Sequence, residues 1–351
     1  MSLVRKILPL SFVLLATTEF ALADEEALQT IAFGSCLDQD HPQPVWTAVN
    51  AESPDLFVFL GDNIYGDTED MDVMRDKYRK LANNSGFAKL RASTPTIAIW
   101  DDHDFGQDDA GLEYPEKEAS RQVMLDFWDE PADSERRTRE DGIYTAYEYG
   151  PEGRRVQIIL LDLRWNRTAL HAVTLGKLNP VRIAKDMGPY IADEDPEAIL
   201  LGEPQWSWLE EQLGKPADLR IIGSSIQLLP EFSGWESWAN FPDERRRLFS
   251  LLRKLDSKGV IIISGDTHWS ELSQVDDATI YSLWEITSSG LTKEWKKVSP
   301  NVHRVGEAYP EANYGLIEID WESRSPSIAF SIKDVAGNTV MSQQLALSEL
   351  Q

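Results

Sequence analysis

Cysteine is nearly absent: Cys36 is the only one in 351 residues, so no internal disulfide can staple the fold. Basic residues are also scarce. With 34 Lys and Arg against 59 Asp and Glu the net charge is −25, which excludes duplex nucleic acid as a main partner, because phosphate backbones are gripped by Lys and Arg. Beyond the N-terminus no apolar run reaches the roughly 18 residues that a spanning helix needs. Internal repeats, low-complexity tracts and Pro/Gly/Ser-rich linkers are missing, which argues for one domain over residues 24–351.

At the N-terminus, Arg5 and Lys6 precede "ILPLSFVLL", and "ALA" follows at residues 21–23. A charged start, a short apolar middle and a small-residue end predict a secretory signal peptide over residues 1–23, cleaved after Ala23; the alternative is a retained N-terminal helix. The expected mature protein is soluble and exported to the periplasm or the outside of the cell. No arginine pair precedes the apolar stretch to mark the twin-arginine route. Most of the acidity reads as a solvated surface. Against such a field, any site that accepts an anion must bring its own positive charge, and metal ions supply it most compactly.

Apolar, β-branched runs recur and end in polar clusters: "TIAFGSC", "LFVFLGDN", "TIAIWDDHD", "RVQIILLDLR", "LRIIGSSIQ" and "GVIIISGDTH". Unbroken runs of this kind read as strands buried on both faces. Helical patterns lie between several of them, at Met71–Ala82, "ASRQVMLDFW" and "DERRRLFSLLRKLDSKG". The class is therefore α/β, in which ligands gather beyond the carboxyl ends of strands. After residue 275 apolar and polar positions alternate, which predicts antiparallel strands forming a second sheet packed on the first. Residues 165–205 show no sustained period and read as a long surface excursion near the site.

Three strand ends carry the chemistry. In "FVFLGDNIY" Gly61 permits a tight turn and presents Asp62, which could bridge two cations. "WDDHDF" sets Asp101, Asp102, His103 and Asp104 together, and carboxylates so crowded repel one another unless cations or protons compensate. His103 there is a ligand, a general acid, or an imidazole charged by its neighbours. In "SGDTHW", Asp266 and His268 stand two residues apart, so an extended segment would turn both toward one metal. Cys36 is either a small buried hydrophobe or a ligand. Oxygen donors suit hard cations while thiolate and imidazole favour transition metals, so the mixture implies more than one kind of ion.

In order along the chain, "FGSC", "GDNIY", "MRDKYRKL", "LRASTPTIAIWDDHDFGQDDAG", "LDLRW", "GSSIQLLP", "ISGDTHWSEL" and "NYGLIEIDW" resemble the alkaline phosphatase D family, the PhoD-like branch of the metallophosphoesterases. The likeness spans about residues 30–322, and the separate N-terminal β domain of longer members is expected to have no counterpart. It implies a metallophosphoesterase-like four-layer α/β/β/α sandwich with two mixed sheets, and an enzyme that cleaves phosphate monoesters or diesters with a metal-activated water. It further implies iron (Fe3+) together with calcium, or another divalent cation. Carried over by position, Cys36 is the thiolate ligand, Asp62 the bridge and Tyr78 the phenolate. Asp102 binds metal, and Asp101 is either a ligand or an acceptor behind one. Asp266 and His268 supply further ligands, His103 serves the leaving group or a phosphoryl oxygen, and Arg164 clamps phosphate. One departure stands out: "QDDAG" has Asp108 where many members carry Asn, which bears on which cation is held.

The expected partner is thus a small phosphate ester, and oligomeric state leaves no mark in the sequence. Two other readings use the same residues: a phosphodiesterase or phospholipase-type esterase, and a non-enzymatic, exported calcium-binding module. The second has no use for Cys36, Tyr78, His103 and Arg164 together.

Overall fold

The computed structural model describes residues 26–173 and 179–351; the expected signal peptide lies outside the described residues. Three of the apolar runs form the parallel centre of one sheet: β1 (Thr30–Gly34), β2 (Leu56–Leu60) and β3 (Thr96–Ile99). Their side chains are buried on both faces, as unbroken apolar runs require. The other edge of β1 pairs antiparallel with β11 (Asn313–Asp320), followed by β12 (Ser327–Asp334) and β13 (Thr339–Ala346), giving the order β13-β12-β11-β1-β2-β3.

The second sheet is built from β4 (Thr145–Tyr149), β5 (Val156–Leu160), β6 (Leu219–Ser224), β7 (Val260–Ser264), β8 (Ser270–Val275), β9 (Leu283–Ser288) and β10 (Arg304–Tyr309). Their order is β10-β8-β9-β7-β6-β5-β4, with β5, β6, β7 and β9 parallel and the outer pairs antiparallel. The late alternating strands therefore do not make a sheet of their own. They divide between the two, because β1, β7 and their neighbours leave edges that only later strands can cover.

The sheets meet face to face. Trp284 of β9 packs on Phe330 of β12 at 5.6 Å between rings. Gly223 of β6 leaves room for a leucine from each sheet: a Cβ there would lie 2.6 Å from Leu160 and 3.1 Å from Leu60. Outside the first sheet lie α1 (Val45–Glu52), α2 (Met71–Ala82), α3 (Ser85–Ser93) and α5 (Lys117–Phe127). Trp46 of α1 packs on Phe57, Phe59 and Phe87. The Asp70 side chain accepts from Asp72 N to cap α2, which buries Met74, Tyr78 and Leu81 along one face. Outside the second sheet lie α7 (Glu203–Leu213) and α8 (Pro242–Lys254), where the Gln157 side chain donates to Gln212 O of α7 and the Trp206 indole to Glu244 of α8. The result is the expected four-layer α/β/β/α sandwich with two mixed sheets. Among the described residues no helix is long and apolar enough to cross a membrane.

Candidate metal centre

Most of the groups that gather at the site stand at or just beyond the carboxyl end of a strand. Cys36, Asp62 and Asp101–Asp102 follow β1, β2 and β3 of one sheet; Arg164, Asp266–His268 and Ser289 follow β5, β7 and β9 of the other. An isolated parallel bridge between Ser35 and Ser289 closes the two sheets together at this end. The turns are tight. Of the ten non-glycine residues with positive φ among the described residues, five line the site: Cys36 (60°), Asp62 (49°), Asp109 (58°), Asp266 (71°) and His268 (61°). Backbone held in this sparsely populated region concentrates at functional sites. Gly61 (φ 95°) lets the β2 and β3 turns touch: a Cβ there would sit 2.4 Å from the Asp101 Cβ.

Asp104 organises these turns from below. It lies in α4 (Asp102–Phe105), a single turn capped by Asp101. One Asp104 carboxylate oxygen accepts from Asp101 N at 2.7 Å and Asp62 N at 3.1 Å, and the other accepts from the Asn63 amide at 2.6 Å. The local spacing made Asp104 one more acid in a crowd; its role depends on Asn63, 41 residues away, and is legible only in three dimensions.

Four overlapping groups have ligand atoms within 4.8 Å of one another: Cys36, Asp62 and His268; Asp62, Asp102 and His103; Asp101, Asp102 and Asp266; Asp102, Asp109 and Glu236. Asp62 belongs to two groups and Asp102 to three, the arrangement expected of carboxylates shared between cations. Asp266 and His268 do not face one group, because the turn through their left-handed residues replaces the extended segment that would align them. Glu236 and Asp109 carried no signal in the sequence beyond being acids near Trp235 and Asp108.

The phenol in the cluster is Tyr65. Its hydroxyl lies 2.8 Å from His268 Nε2 and 3.4 Å from Asp62 Oδ2. Tyr78, by contrast, is carried by α2 behind the site, with its hydroxyl 3.5 Å from Asp104 Oδ2. Tyr65 is the last residue of "GDNIY", three positions after Asp62, and the left-handed turn at Asp62 brings it back. Arg164 is fully buried and turned away from the cleft. Its Nε donates to Asp101 at 2.5 Å and its two terminal nitrogens donate to Glu236 at 2.7 Å each. Arg164 thus orients two acids of the cluster. Asp108 stands on the rim with its carboxylate 3.6 Å from His103 Nε2, and His103 Nδ1 lies 2.7 Å from Asp67.

A cleft of about 280 Å³ opens over the cluster, lined by Asp62, Asp102, His103, Asp108, Asp109, Tyr190, Trp235, Glu236, Asp266 and residues 267–269 and 295. Among the described residues no lysine or arginine lines it. Tyr190 returns from the 165–205 excursion to donate to Asp109. Burial, and then the Asp266 charge, push the Cys36 thiol up to about 12. Burial and Asp102 hold Asp62 far above the usual carboxyl range. Burial disfavours a charged His103, yet Asp102, Asp67 and Asp108 outweigh it and raise the pKa to about 9. For His268, burial and the neighbouring His103 and Lys293 charges bring it down to about 4, leaving a neutral imidazole.

The donor set fits metal ions on a direct observation: Asp62 Oδ1, Asp101 Oδ2 and Asp102 Oδ1 are buried without a hydrogen-bond partner. Three such oxygens within one cluster, of which only Asp102 Oδ1 has a guanidinium nearby at 3.6 Å, are costly unless cations or protons complete them.

Two mixed sheets stacked face to face, with an acid and histidine cluster at their common end, define the metallophosphoesterase-like class. The PhoD-like phosphatase family matches residues 31–324, and the chain belongs to that family. Alkaline phosphatase D of Bacillus subtilis (strain 168) is 22% identical, over 70% of this chain and 47% of its own length, so the match spans about half of that relative. A solved structure of PhoD superposes with a TM-score of 0.64 at 17% identity, covering 92% of this chain and 73% of that one. GAP50, the anchor in the inner membrane complex of Plasmodium, superposes at 0.55 with 12% identity, over 92% and 89% of the two chains.

Proposed function

We propose that the protein is an exported, metal-dependent phosphohydrolase that cleaves phosphate mono- or diesters in the cleft above Asp62 and Asp102. The observation that carries this reading is the set of orphaned, buried oxygens on Asp62, Asp101 and Asp102, gathered where the parallel strands of two sheets end. Cys36, Asp62 and His268, with the Tyr65 phenol beside them, would hold iron. The all-oxygen groups around Asp102, Asp109, Glu236 and Asp266 would hold calcium or a similar hard cation. Bound there, such ions supply Lewis-acid polarisation and a nucleophile at neutral pH.

The protein's own residues do the rest. His103, charged at neutral pH and steadied by Asp67, donates to a phosphoryl or departing oxygen at the cleft wall. Arg164 holds Asp101 and Glu236 in register from behind. Among the described residues no lysine or arginine lines the cleft, so there the phosphate charge is met by cations and His103, which favours singly charged diesters over dianionic monoesters.

The test is hydrolysis of p-nitrophenyl phosphate and of its bis ester, with and without a chelator, alongside elemental analysis of the purified protein. Chelator-sensitive hydrolysis, faster on the diester, is the expected result. A protein that binds calcium but hydrolyses neither ester is the non-enzymatic binding module instead. Export is tested by N-terminal sequencing of secreted material, which should begin at Asp24.

A further inference from the structure

Two tryptophans at the cleft mouth have no part in that chemistry. Trp235 and Trp295 meet edge to face, ring centroids 6.2 Å apart and planes at 74°. Trp295 is 42% exposed, unusual for so large an apolar ring. Both are fixed to the metal centre through the backbone. Trp235 precedes Glu236, the carboxylate clamped by Arg164, and its indole donates to Asp186 O at 3.1 Å. Trp295 N donates to His268 O at 2.9 Å. A group seated against these rings, in the angle they form, is therefore adjacent to whatever the cluster binds.

The angle between the rings selects the guest. A flat base or aryl ring is best gripped between parallel faces, whereas two faces near a right angle form a corner that suits a rounded group. The surrounding charge selects further. Asp108 contributes a carboxylate that is 76% exposed, with His103 as its nearest charged partner at 3.6 Å. The lysines flanking Trp295 are occupied: Lys293 with Asp38, Lys296 with Glu294 and Glu311, and Lys297 with Asp186. An electron-rich corner beside an acidic rim attracts a cation and repels a second anion.

Resting on the phosphohydrolase reading, we propose that the Trp235–Trp295 corner is a subsite for an alkylated ammonium group carried on one ester arm of a phosphodiester. A substrate of this class is zwitterionic, so it enters the acidic cleft without bringing net negative charge.

The test compares two p-nitrophenyl diesters of equal shape, one with choline as its second alcohol and one with 3,3-dimethylbutanol, the uncharged carbon isostere. In each, water adds at phosphorus, the bond to the nitrophenyl oxygen breaks, and nitrophenolate leaves with a proton released to solvent. Face contacts from two rings predict a ratio of kcat/KM for the charged over the neutral ester of about tenfold. Trp235→Leu and Trp295→Leu should bring this ratio close to one, and Trp295→Phe should keep part of it. A wild-type ratio near one, with both esters hydrolysed, overturns the subsite. Hydrolysis of neither ester refutes the phosphohydrolase reading alone; the subsite is then judged by tryptophan fluorescence with tetramethylammonium chloride against sodium chloride. Saturable quenching that Trp295→Leu abolishes supports the subsite, and its absence in the wild type overturns it.

Discussion

The Tyr65 hydroxyl touches both a carboxylate and an imidazole of the cluster, so its removal should be felt in the metal's electronic structure as well as in turnover. Tyr65→Phe is expected to lower kcat at least tenfold and to change any visible absorption of the loaded protein. Tyr78→Phe should leave both close to wild type, since that hydroxyl meets only Asp104. Assays and absorption spectra of the two variants decide between the phenols. Loss of Asp62, shared by two ligand groups, should cost more activity than loss of His103, whose acid–base help is worth about 10²- to 10⁴-fold. Rates of Asp62→Asn and His103→Asn at saturating metal provide the comparison. The crowding of Asp101, Asp102 and His103 after a strand was legible in the sequence, because residue type and a strand end suffice to place them together. The choice between two tyrosines was not: it depends on the left-handed turn at Asp62, which no spacing reveals.

Among the elements, the strand ends position the site and the segments after them do the fine adjustment. Arg164, just beyond β5, reaches across to Asp101 on the opposite sheet and to Glu236 on a distant loop. Arg164→Lys keeps the charge but loses the fork that holds Glu236 by both oxygens, so metal affinity should fall about 10- to 100-fold. KM for substrate at saturating metal should change little, because Arg164 does not line the cleft. Metal titrations and kinetics on that variant separate positioning from phosphate clamping. A guanidinium in "LDLRW" reads equally as either from sequence, since its partners lie 63 and 72 residues away. The buried strands and α2 were legible because their patterns are local. The 165–205 segment was legible as an excursion near the site but its docking was not, since that rests on Tyr190 meeting Asp109 from 81 residues away.

For the whole molecule, the acids at the sheet ends couple folding to protons and cations. Burial, net of their neighbours, raises Asp101, Asp104 and Asp109 to about 6, 7 and 8, above the ordinary value of 3.8. Stripped of metal, the folded protein between about pH 4 and 8 then holds protons that the unfolded chain has already released. That contribution is complete below the unfolded value and is lost as pH rises through the folded ones. Stabilisation by added metal should accordingly grow from pH 5 to pH 8, with protons released on loading. Melting curves with and without chelator, and calorimetry in buffers of different ionisation heat, measure both.

The first ligand group joins Cys36 and Asp62 of one sheet to His268 of the other, in a chain whose single thiol has no partner for a crosslink. A cation seated there acts as a removable rivet through the sandwich. The longevity of the protein in its surroundings should then be governed by competition for that cation, with sequestering agents shortening its life although no disulfide is there to be cut.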